Sequence, residues 1–316
     1  MSLTIKQRSV GNIFAVLIAI AYGLVIVALV YRHMSSGSGD IGAYVHFFED
    51  FGVWEYYNDF SVRGEGIFRY SIFFLKTNFD KEAVQVLSYI AFLTSSITLY
   101  IYAYSIRSLR YLVVSAPLFL MVFLTPRVMD LYASGIRSGI AFTILLLGLL
   151  SRRAVLSYSL FALASFIHLS MIPIVALYLF FYLLRSINTR PSLLSTYLLL
   201  IAFAIFLTIA AWILNFNSTN VASSFYYNFL LFYLCAILIF SSKSAVLDIY
   251  GFISIGLMLI LLFGIVVDLS FVRYTGNAII LYLFFLIKSG SVNTIKIFSI
   301  CYIPFVILTL AYFLTN

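Results

Sequence analysis

Residues 135–170 read GIRSGIAFTILLLGLLSRRAVLSYSLFALASFIHLS. An apolar run opens at Arg137 and closes at the basic pair Arg152–Arg153. A second apolar run follows and carries His168 near its far end. Two membrane helices joined by the basic turn put Arg137 and His168 on the same side of the bilayer. Ionisable side chains at membrane depth are costly, so their default reading is function. The rest of the chain reads as scaffold and substrate lip around this hairpin.

Composition supports the membrane reading. The 316 residues are 64% hydrophobic and 9% charged, with mean hydropathy +1.10, where a soluble domain carries about 25% charged residues. Tyr and Phe are abundant, at 24 and 32, and such rings can sit at interfaces or line a cleft. Cys235 and Cys301 sit inside apolar runs as small core residues. The net charge of +8 comes without the basic cluster that nucleic-acid binding needs, so no nucleic-acid partner is expected. Lys6 and Arg8 precede the run Ile13–Tyr31, which is too long for a signal-peptide core and reads as an uncleaved first helix.

Apolar segments fall at about 13–31, 83–104, 111–125, 138–150, 154–170, 172–184, 193–215, 225–240, 246–267, 275–287 and 297–314. As one helix, 154–184 would be about 46 Å long, too long for a core of about 30 Å. Pro173 sits near its middle, so it is expected to be a broken hairpin of two short helices meeting at 167–173. Charge supports this. With the N-terminus in the cytoplasm, alternation over eleven spans puts Lys6, Arg8, Arg107, Arg110, Arg152, Arg153, Arg185, Arg190, Lys243, Lys288 and Lys296 inside with one acid, Asp248. A single span at 154–184 would move Arg185, Arg190, Lys243, Lys288 and Lys296 outside. The expectation is an all-α polytopic helix bundle of about eleven spans, N-terminus in and C-terminus out, over 1–316 as one membrane domain.

Residues 32–82 form the one large external loop and hold eight of the eleven acids. Tyr44, Phe47, Phe48 and Phe51 fall at i, i+3, i+4 and i+7, the spacing of an interfacial aromatic helix. Arg32, Arg127, Arg137 and Arg273 stand near external span ends. Guanidinium forks hold phosphate bidentately, and Arg137 begins a helix whose free N–H groups also favour an anion. The plainer reading is snorkelling to lipid phosphates or pairing with Asp130 or Asp268. His168, in the expected break, and Asp40 and Glu65, flanking the aromatic stretch, are candidates to orient or deprotonate a hydroxyl. Residues 126–175 are the candidate core of an active site. No metal or cofactor is expected, because the histidines lack H-x-x-H spacing and no P-loop or dinucleotide fingerprint occurs.

Several patterns resemble the EpsG/Wzy group of bacterial polysaccharide polymerases. Gly39-Asp40 with Tyr44 and Phe47-Phe48 is similar to that group's Asp…Tyr…Phe segment, and Glu65-Gly66-Ile67-Phe68 to its Glu-Pro-Gly-Phe segment. Ile136-Arg137-Ser138-Gly139-Ile140-Ala141 resembles its Arg-Gln-x-Leu-Ala helix start, and Ile167-His168-Leu169-Ser170 its Ile-His-x-Ser element. Gly66 stands where the group has Pro, and Ser138 where it has Gln. The likeness covers roughly 39–175; beyond it only Arg273-Tyr274 is familiar.

The resemblance implies transfer of a growing glycan from undecaprenyl diphosphate to a lipid-linked repeat unit, at the periplasmic face of the bacterial cytoplasmic membrane. The product would be O-antigen lipopolysaccharide, capsule or exopolysaccharide. Arg137, Arg273, Arg127 and Arg32 would then bind diphosphate. Tyr44, Phe47, Phe48 and Tyr274 would bind glycan. His168, Asp40 and Glu65 would be catalytic. Its protein partners would be a chain-length regulator of the Wzz type and a flippase. The alternatives are an O-antigen ligase or another lipid-linked-sugar glycosyltransferase, a membrane acyltransferase suggested by Arg32-His33, and a precursor flippase or transporter.

Overall fold

In the computed structural model the apolar runs become helices. It describes residues 5–36, 44–45, 66–79, 82–105, 118, 121–187, 192–213, 225–266, 274–289 and 292–315. The regular structure among them is helical, without strands. The helices are α1 (Ile5–Ser36), α2 (Gly66–Phe79), α3 (Ala83–Ser105), α4 (Pro126–Ala133), α5 (Ile136–Leu150), α6 (Ala154–Ile167), α7 (Ile172–Ile187), α8 (Leu193–Ile213), α9 (Phe225–Ser241), α10 (Ile249–Val266), α11 (Tyr274–Ser289) and α12 (Val292–Thr315). Short 3-10 turns at Leu169–Met171 and Lys243–Leu247 precede α7 and α10.

Among the described residues four stretches are long and apolar enough to cross a membrane: Ala15–Ser35, Ala83–Tyr104, Leu169–Ile187 and Leu193–Ile213. The pair α4 and α5, bent by 98°, makes a fifth if taken as one span. Five further apolar helices, among them Ala154–Ile167 and Tyr274–Lys288, have 10–17 residues. At 1.5 Å per residue these are shorter than a hydrocarbon core of about 30 Å. Hydropathy finds such segments but does not say that each one crosses. The stretch 111–125 lies mostly outside the described residues. Ile13, Leu17 and Leu24 on α1 and Leu194, Leu198 and Phe206 on α8 are exposed, as expected of lipid-facing side chains and not of a water-facing surface.

The described residues form two compact units, 1–105 with 129–172 and 106–128 with 173–316. In the first, α1 lies along α3, α3 along α5, and α5 along α6. Polar contacts stitch these apolar helices, as is usual where hydrocarbon supplies no competing water. Ser96 Oγ donates to the Ala19 carbonyl at 3.0 Å, and the Thr98 and Thr143 hydroxyls meet at 3.0 Å. Thr143 also donates to the Gly139 carbonyl at 2.8 Å. Thr98→Val is therefore expected to cost about 0.6 kcal/mol, the average for interhelical side-chain bonds in a bilayer. A Thr98–Thr143 double-mutant cycle on unfolding in detergent should recover that coupling.

In the second unit α10 is sheathed by α8, α9 and α11. Ser254 Oγ donates to the Ala278 carbonyl at 2.7 Å, and Tyr282 OH to the Leu238 carbonyl at 2.7 Å. Asp248 caps α10, its Oδ1 accepting the Tyr250 N–H at 2.9 Å. Burial raises the Asp248 carboxyl pKa from its ordinary value, and the Tyr250 and Gly251 N–H groups with Lys288 and Arg185 offset part of this. The stability from this group is present below the unfolded carboxylate pKa and lost as pH rises through the folded one. Asp248→Asn keeps a capping oxygen and should remove that pH dependence, with a higher melting temperature at neutral pH. Asp248→Ala should cost about 1 kcal/mol through the lost cap. Melting curves across the carboxylate range check both.

Candidate functional site

The bend between α4 and α5 builds the site. Pro126 opens α4, where its missing N–H costs nothing. The Asp130 carbonyl ends that helix by accepting the N–H groups of Ser134 at 3.1 Å and Gly135 at 2.7 Å. The chain then turns through Gly135 into α5 without a side-chain cap. Gly139 permits the close return: a Cβ there would lie 2.7 Å from the Leu131 carbonyl oxygen and 2.9 Å from the Tyr132 ring. The tight elbow leaves the first turn of α5, Ile136-Arg137-Ser138, at a helix start, where N–H groups lack intrahelical acceptors.

Arg137 is half-buried there. Its Nε donates to the Tyr44 hydroxyl. Its guanidinium carbon lies 5.1 Å from the Tyr44 ring centroid and 5.9 Å from that of Phe68. The two rings meet edge to face at 5.5 Å, and Phe68 at the start of α2 is buried. Both rings hold the cation by their negative faces. Ser138, next in the chain, has a hydroxyl that is 3% exposed and has no hydrogen-bond partner among the described residues. The cation and the helix-start N–H groups are donors of the kind that suit phosphate oxygens.

On the same elbow, His33 from the last turn of α1 meets Asp130 of α4, with Nε2 3.7 Å from Oδ1. Their side chains are 25% and 31% exposed. Asp130 thus has an imidazole beside it, although the sequence offered it only as an arginine partner. Arg32 is exposed on that last turn of α1.

His168 occupies the expected break. It is extended (φ −151°, ψ 115°) between α6 and the 3-10 turn. Its N–H donates to the Ala164 carbonyl at 3.0 Å, and its Nδ1 accepts the Ser170 N–H at 3.2 Å. One ring nitrogen therefore shapes the turn. Arg127, in the second unit, is half-buried at the second position of α4. Its carbonyl packs 2.9 Å from where a Cβ on Gly276 would stand. Tyr274 is buried at the start of α11, beside the buried Thr275 and Asn277. Asp40, Glu65, Phe47, Phe48 and Arg273 lie outside the described residues.

Among the expected site residues, the structure joins Arg137 to Tyr44. There Tyr44 accepts the Nε hydrogen of the arginine and lays its ring against the guanidinium. Phe68, Ser138 and the His33–Asp130 pair were not singled out as site residues by the sequence reading. For Ser138 the available signal was its place one residue after Arg137. Among the described residues no group of three or more His, Cys, Asp or Glu is placed to share a metal ion. The chain matches no protein-family model, no curated protein and no solved structure.

Proposed function

We propose that the chain is a polysaccharide repeat-unit polymerase, a glycosyltransferase that takes a growing glycan from undecaprenyl diphosphate and joins it to a lipid-linked repeat unit. The observation that carries this reading is Arg137, fixed by Tyr44 and Phe68 at a helix start. That donor set suits a diphosphate, and the apolar exterior suits a substrate that arrives in the membrane. The acceptor hydroxyl attacks the anomeric carbon, and the sugar–phosphate bond breaks. Its electron pair leaves with the diphosphate, whose growing charge the guanidinium stabilises. Holding acceptor and donor together supplies much of the remaining acceleration. His168, Asp40 and Glu65 are the candidates from the sequence for orienting the acceptor.

In this reading the chain spans the bacterial cytoplasmic membrane about eleven times, N-terminus in and C-terminus out, with the elbow at the periplasmic face. It works beside a flippase and a Wzz-type chain-length regulator. A deletion strain should carry single repeat units on its surface in place of a ladder, and a ladder of normal length there would overturn the proposal. For the topology, alkaline phosphatase fused after Asn316 should be active and a fluorescent protein there dark. The opposite pair of results would put an even number of spans in the chain.

A further inference from the structure

We infer that His33 and Asp130 form the proton-accepting pair for the acceptor hydroxyl, an inference that rests on the polymerase reading. The imidazole and carboxylate come from α1 and α4, 97 positions apart in the chain, and approach to 3.7 Å. Catalytic contacts of this kind are often long before substrate binds and close to about 3 Å with it. Each side chain is at least a quarter exposed, so a sugar hydroxyl can reach the pair. Asp130 also supplies the backbone of the phosphate-binding end of the site. Its carbonyl holds the N–H of Gly135, two residues before Arg137.

The chain's other groups fit less well. Of its three histidines, His46 lies outside the described residues, and His168 uses Nδ1 on its own turn. Of the three acids beyond the first loop, Asp248 caps α10 and Asp268 lies outside the described residues.

The acceptor oxygen forms the new bond to the anomeric carbon as the carbon–phosphate oxygen bond breaks. The hydroxyl proton passes to the His33 imidazole, Asp130 supplies the counter-charge to the imidazolium, and the diphosphate leaves with the bonding electrons. His33 is the catalytic residue and Asp130 a positioning residue.

The test uses the full-length protein in proteoliposomes with a lipid-linked repeat unit, reading elongation and donor binding. His33→Ala should slow elongation about 10²–10⁴-fold, the usual worth of a general base, with donor binding intact. Added imidazole should restore part of the rate, which it cannot do for a purely structural residue. Asp130→Asn should lower kcat with KM little changed, and Asp130→Glu should recover part of it. Wild-type elongation by His33→Ala overturns the inference, as does a loss that takes donor binding with it and is not rescued. If the wild-type protein itself elongates nothing, the polymerase reading has failed and this inference with it.

Discussion

Arg137→Ala is expected to abolish glycan elongation, with a loss of about 10²–10³-fold or more, by analogy with a lost oxyanion donor. The reason is local. The guanidinium is gripped by the Tyr44 hydroxyl and by two aromatic faces, so its remaining edge has one orientation. Arg137→Lys keeps the charge but loses the planar fork and the Nε donor that Tyr44 accepts, and should not rescue. Arg152 and Arg153 are the controls. Both are exposed in the turn between α5 and α6, and alanine at either should leave elongation near wild type at matched expression. Rates from purified protein check the set. A dead Arg153→Ala beside an active Arg137→Ala would put the chemistry at the other end of α5.

On the proposed function, Gly139→Ala is expected to damage elongation nearly as much, whereas Gly135→Ala is tolerated. At Gly139 the new methyl would stand 2.7 Å from the Leu131 carbonyl oxygen, a backbone atom that cannot swing aside. At Gly135 the nearest atom is the Asp130 oxygen at 3.4 Å, and φ is −86°, ordinary for any residue. Overpacking of the first kind costs about 1–3 kcal/mol. A shift of about 1 Å in a positioning group can cost about 10²-fold in rate, and the elbow carries Arg137 on its next turn. Melting temperature and elongation measured on both variants separate the two glycines. Equal behaviour would mean that the elbow does not set the position of Arg137.

Hydropathy made the helices legible, since apolar runs in lipid have little choice but helix. The break at His168 was legible too, from the length of 154–184 and from Pro173. The elbow at 133–136 was not. Gly139 permits it by lying close to the Leu131 carbonyl, and neither periodicity nor charge counting reports a backbone approach. Arg137 could be named as a helix-start cation because its position follows from the sequence alone. Its hold by Tyr44 and Phe68 joins three separated segments, and the meeting of His33 with Asp130 joins two more. Such pairings follow from packing and leave no local trace. The span count sits between these cases. Apolar segments are visible in the sequence, but a helix of 10–17 residues is short enough that composition does not decide whether it crosses.

The most direct test gives purified, reconstituted protein one lipid-linked repeat unit and nothing else. The account predicts a ladder of lipid-linked oligomers, with one undecaprenyl diphosphate released for each new glycosidic bond and neither product formed by Arg137→Ala. Transbilayer movement of the intact lipid-linked unit, with no ladder and no released diphosphate, would contradict it and make the protein a transporter.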